Sequence, residues 1–130
     1  MDAKEPLIPS APAPASSPGG RAHGSGARAP YVRVAEIEID PAQLEAYKTA
    51  VSEEIESSVR AEPGVLALYA VSDKDNPARV MVFEIYTDRD AYKTHIETPH
   101  FRKYKATTQD MVRSLRLIET VPIALVAKAK

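Results

Sequence analysis

From Val32 to Ile39 the side chains alternate, with Val32, Val34, Glu36 and Glu38 on one face and Arg33, Ala35, Ile37 and Ile39 on the other. That period of two predicts a strand. The period then lengthens. Leu44, Tyr47, Val51, Ile55 and Val59 recur at three- and four-residue spacing, with Glu45, Lys48, Glu53, Glu54 and Glu56 on the remaining surface. This is the stripe of an amphipathic helix lying on a sheet. Asp40 can cap that helix, Pro41 suits its first position, and Gln43 can reach back to the free amide. Glu62-Pro63-Gly64 ends it, because proline cannot continue a helix and glycine accepts the dihedrals of the turn.

A second strand is predicted over roughly Val65 to Ser72 and a third over Arg79 to Tyr86, with the turn cluster Asp73 to Pro77 between them, so the two read as an antiparallel hairpin. Thr87 with Asp90 three residues on forms a capping box and opens a short helix through about Ile96. Thr98-Pro99 restarts it with a capping hydroxyl and a proline at the first helical position. His100, Phe101, Tyr104, Thr108 and Met111 continue at helical spacing, Ser114 to Val121 reads as a fourth strand, and a short apolar end, Ile123 to Val126, follows Pro122.

The order strand, helix, strand, strand, broken helix, strand predicts an α+β, ferredoxin-like βαββαβ domain with a four-stranded antiparallel sheet and both helical segments on one face. The third strand, Val80 to Ile85, is apolar on both faces apart from Glu84. A chain of this size has no helices left for the second face, so a second copy of the sheet is the economical cover and a symmetric homodimer is expected.

Composition changes this picture at the N-terminus. Residues 1–30 hold six of the eleven prolines and four of the five glycines, and their only apolar residues larger than alanine are Met1, Leu7 and Ile8. Such a segment cannot bury enough to offset its ordering entropy, so 1–30 is expected to be a disordered tail, 31–126 the domain, and 127–130 a C-terminal tail. The tail has no basic start followed by an apolar run, so as it stands it is neither a signal peptide nor a membrane anchor. The default compartment is then cytoplasmic. Small-residue, Pro-rich stretches also follow a removed signal peptide, which would make the protein periplasmic or secreted. A net charge of -1 with basic residues scattered among acids excludes the footprint of a nucleic-acid binder, and the absence of cysteine excludes disulfides, thiolate metal sites and a cysteine nucleophile.

Candidate chemistry gathers between Phe83 and Tyr104. His95 can act as a base near neutral pH. Glu84, in an apolar strand, has a raised pKa if its face is buried and can accept or relay a proton. Tyr86, His100, Phe101 and Tyr104 are candidates for lining a pocket and binding an aromatic substrate. Each has a plainer role available: a capping histidine, a cross-strand ion pair, a core ring. No metal is expected, because His95 and His100 are five residues apart rather than the four of a zinc-binding His-Glu-x-x-His helix, and Pro99 interrupts the turn between them.

The strand Val34-Ala35-Glu36-Ile37, then Phe83-Glu84-Ile85-Tyr86, then His95-Ile96-Glu97-Thr98-Pro99-His100-Phe101 with Tyr104, resemble the antibiotic biosynthesis monooxygenase domain family, quinol monooxygenases included, over about Tyr31 to Val121. The resemblance implies a dimeric α+β barrel with a pocket between helices and sheet in each protomer. It also implies a cofactor-independent monooxygenase that oxidises a quinol or polycyclic phenol with molecular oxygen and no metal or flavin. Haem-degrading enzymes share this barrel. Where they place the axial histidine this chain has Lys105, so haem oxygenation is disfavoured. The alternative function is a non-catalytic dimer that binds a small aromatic or serves as a stress-related accessory module.

Overall fold

The computed structural model describes residues 29–129. The expected tail at 1–30 therefore lies outside the described residues, apart from Ala29 and Pro30. Strands β1 (Tyr31–Ile39), β2 (Val65–Ser72), β3 (Arg79–Tyr86) and β4 (Val112–Glu119) form one sheet in the order β2-β3-β1-β4. Each neighbouring pair is antiparallel. Helix α1 (Leu44–Ala61) connects β1 to β2, and α2 (Arg89–His95) and α3 (Pro99–Thr108) connect β3 to β4. This is the ferredoxin-like α+β arrangement that the alternation of periods predicts.

The alternation in β1 decides which face is covered. Arg33, Ala35, Ile37 and Ile39 are buried under the helices, together with Val80 and Val82 of β3 and Tyr47 and Val51 of α1. A second apolar cluster of Val65, Leu68, Tyr86 and Tyr92 lies toward α2. The inward stripe of α1 differs from the expected one. Its buried residues are Tyr47, Val51, Glu54 and Ser58, whereas Val59 is 47 % exposed. The spacing 47, 51, 54, 58 fits the helical period as well as the apolar set does, so the stripe is rotated by polar residues that find partners inside.

Local chemistry sets the element ends. Asp40 Oδ1 accepts from the Ala42 amide, and Pro41–Gln43 forms a single 3-10 turn before α1. The cap of α2 is Asp88, whose Oδ1 accepts from the Ala91 amide at 2.8 Å, rather than Thr87. The Thr87 amide instead donates to the carbonyl of Gly64, tying the end of β3 to the turn before β2. The α2 helix ends at His95. Thr98 then caps α3 as expected, its hydroxyl oxygen accepting from the Phe101 amide and donating to the His95 carbonyl. A 3-10 turn at Gln109–Met111 brings β4 in two residues earlier than the sequence pattern suggests.

Candidate active site

Between the inner sheet face and the helices lies a cavity of about 70 Å³. Arg33, Glu54, Glu84, Tyr86, His95 and Tyr104 contribute to its wall, with aliphatic side chains from the sheet as the floor. Of the residues singled out in the sequence, His95, Glu84, Tyr86, Phe101 and Tyr104 line it. His100 does not: it lies in the groove between α1 and α3. The cavity is smaller than the roughly 150 Å³ that holds a benzene ring in an engineered apolar core. A ring therefore needs side chains of the wall to move.

The sheet contributes an ionic group. Arg33 on β1 stands directly opposite Glu84 on β3. The period of two puts Tyr86 on the same face as Glu84, and the Tyr86 hydroxyl donates to Glu84 Oε1 at 2.8 Å. Burial pushes the Glu84 carboxyl above the usual carboxylate range, and the Arg33 charge and the Tyr86 hydrogen bond only partly oppose this. Arg33 is 5 % exposed, and its guanidinium lies over the Tyr92 ring at 4.2 Å. Its Nε and Nη1 have no hydrogen-bond partner among the described residues. A buried donor left without a partner costs about 1–3 kcal/mol, so these two call for a polar partner, which a water or a ligand group can supply.

The helices contribute a histidine held by two carboxylates. His95 Nε2 lies 3.2 Å from Glu54 Oε2, and Nδ1 lies 3.0 Å from Glu62 Oε2. Burial alone would lower the imidazole pKa. The two carboxylates outweigh it and hold the pKa above the usual histidine value. Ser58 Oγ donates to Glu54 Oε2 at 3.0 Å and fixes that carboxylate. Rings extend the wall: His95 packs at a tilt against Tyr86 and Phe101, with centroids 5.5 and 5.1 Å away, and Phe101 leads to Tyr104 at 6.0 Å. The Tyr104 and Tyr47 hydroxyls share a hydrogen bond of 2.7 Å. Burial pushes the Tyr47 phenol up to about 12 and the Tyr104 phenol well above its usual value, so both stay neutral.

Sequence reasoning missed Arg33, Glu54 and Glu62. Arg33 carried a usable signal, since the alternation already set it among Ala35, Ile37 and Ile39. Glu54 and Glu62 carried none, because a glutamate in or after an amphipathic helix reads as solvated surface.

Residues 30–107 match the family described as antibiotic biosynthesis monooxygenase. A crystal structure of a candidate antibiotic biosynthesis monooxygenase from Bacteroides thetaiotaomicron is 52 % identical, with a TM-score of 0.76, over 81 % of this chain and 100 % of that one. A candidate monooxygenase from Lactobacillus acidophilus is 30 % identical, with a TM-score of 0.70, over 73 % of this chain and 47 % of that one. An uncharacterized protein of Synechocystis is 26 % identical over 76 % of this chain and 67 % of its own length.

Proposed function

Because the chain belongs to the antibiotic biosynthesis monooxygenase family, we propose that it oxygenates a quinol or phenol with molecular oxygen in the cavity between sheet and helices, without a cofactor. The observation that carries this reading is the group of Arg33, Glu84 and Tyr86, which sets charge and hydrogen-bonding atoms at the wall of a cavity floored by aliphatic side chains. A phenol becomes reactive toward oxygen when it loses its proton. Such a site therefore needs a base, donors for the resulting anion and an apolar enclosure for the ring.

Glu84 takes the part of the base. Its raised pKa brings it closer to that of a phenol, which favours proton transfer. Arg33 Nε and Nη1 take the phenolate oxygen. In this reading His95 is not the base that the sequence suggests, since carboxylates at both ring nitrogens favour its protonated form. It supplies positive charge from the helical side instead. Tyr86, Phe101 and Tyr104 hold the ring by its faces and edges. In the overall reaction a hydroquinone and dioxygen give a hydroxyquinone and water. The substrate provides all the electrons, so the balance requires no external reductant.

Oxygen consumption by the purified protein against a panel of reduced quinones and phenols tests this reading. Turnover of at least one of them is expected, with Glu84→Gln lowering it by about a hundredfold. Raising the pH toward the pKa of the free phenol should restore part of the loss, because the substrate then arrives ionised. Binding of the ring without oxygen uptake at any pH would replace the enzyme with an aromatic-binding module.

A further inference from the structure

Three elements converge at the helical side of the cavity wall, which His95 shares, and Glu62 comes to the two histidines from 33 and 38 residues earlier in the chain. Glu62 follows the last residue of α1, His95 ends α2, and His100 lies in the first turn of α3. Glu62 Oε2 is 3.0 Å from His95 Nδ1 and 2.5 Å from His100 Nε2. One ligand atom from each residue can be chosen so that all three lie within 4.8 Å of one another. We propose that Glu62, His95 and His100 bind a divalent transition metal of the zinc class, with Glu54 orienting His95 from behind.

The donor set is two imidazoles and a carboxylate, one that holds zinc with a fourth position left for water. A tetrahedral ion bonded at about 2.0–2.2 Å needs its ligand atoms about 3.3 Å apart. The 3.0 Å pair is already close to that. The 2.5 Å pair must widen by about 0.8 Å, within the reach of a side-chain adjustment. Nitrogen donors favour zinc, cobalt or nickel over magnesium and calcium, which prefer all-oxygen sites.

Glu54 is the independent observation. A metal-binding histidine usually donates its other ring N–H to a carboxylate, which fixes the tautomer and the ring orientation. His95 has that arrangement: Nε2 faces Glu54 Oε2 at 3.2 Å, Glu54 is itself fixed by Ser58, and Nδ1 is directed at Glu62. Charge points the same way. The ion pairs of Glu54 and Glu62 among the described residues are with these histidines alone, and their side chains are 8 % and 10 % exposed. Two largely covered carboxylates that are ion-paired to no lysine or arginine among the described residues suit a doubly charged ion. The His100 side chain is 21 % exposed, which gives the ion access from the groove between α1 and α3.

The ion would lie behind the cavity wall and keep that wall positive. The proposal does not depend on the oxygenase reading.

The test uses untagged full-length protein, stripped with a chelator and titrated with zinc chloride in competition with a chromophoric chelator. One zinc per chain is expected at micromolar free concentration or below, with a rise in Tm, and neither magnesium nor calcium should compete. His100→Ala and Glu62→Gln should each weaken binding at least about tenfold, and Glu54→Gln by about 10–100-fold. His23→Ala, at the remaining histidine of the chain, should leave it unchanged. Circular dichroism on each variant checks that the fold is kept. With cobalt in place of zinc, the intense visible bands of a tetrahedral site should appear in the native protein and vanish in His100→Ala. No stoichiometric binding by the native protein would overturn the proposal, as would full affinity in both His100→Ala and Glu62→Gln.

Discussion

Glu84 is the residue at which stability and activity should pull in opposite directions. Its folded pKa lies above its unfolded value, so the fold favours the protonated carboxyl. The stability linked to this group is complete below the unfolded pKa and is lost as the pH rises through the folded one. Glu84→Gln keeps an acceptor for the Tyr86 hydroxyl and removes the titration. Thermal melts from pH 4 to 8 should therefore show Glu84→Gln gaining on the native protein as the pH rises, with the two converging at the acid end. A native protein that outlasts the variant at neutral pH would mean that the Arg33–Glu84 attraction exceeds the burial cost. The same shift sets the acid limb of the pH–rate profile, since a base must be ionised to act. The fall in kcat/KM on acidification should begin above the ordinary glutamate range.

At the scale of elements, the site depends on how α2 starts and stops. Its first turn packs against Gly64, where an added Cβ would stand 2.5 Å from the Cβ of Ala91. That close approach, together with the Thr87 amide donating to the Gly64 carbonyl, locks α2 onto the turn before β2. Gly64→Ala should cost about 1–3 kcal/mol through overpacking, read as a lower urea midpoint with an unchanged slope. A midpoint at the native value would show that the turn yields freely. At the other end, Thr98 binds both the His95 carbonyl and the Phe101 amide, so the break between α2 and α3 is a fixed corner. That corner aims His95 and His100 at Glu62 from two different helices.

For the molecule as a whole, the unanswered face of the sheet is the main physical fact. Phe83 sits between Val34 and Tyr69 on the side away from the helices, and Ile118 pairs with Val34 on the same side. Tyr69 and Val71 are 60 % and 50 % exposed, and Val121, Ile123 and Val126 after β4 are 86 %, 100 % and 92 % exposed. Apolar surface so arranged favours a symmetric partner, and we expect a homodimer that packs sheet against sheet. Phe83→Lys would bury an unpaired charge there and should give monomers or aggregates in sedimentation. A clean monomer of the native protein at micromolar concentration would leave this face unexplained.

The sequence by itself determined the elements, their order and the division of the first strand into two faces, because these follow from local periods and from caps a few residues long. Asp40-Pro41, Pro63-Gly64 and Thr98-Pro99 each mark a boundary that the structure keeps, and the alternation in β1 already separates the inner residues from the outer ones. Tertiary structure alone decided which polar groups meet at the site. Arg33 meets Glu84 through strand register, and Glu62 reaches His95 and His100 across 33 and 38 residues. Reading polar residues as surface put Glu54 in solvent, yet it is buried beside Ser58 and His95. Whether a charged side chain can be buried depends on partners brought from elsewhere in the chain, and no local pattern records them.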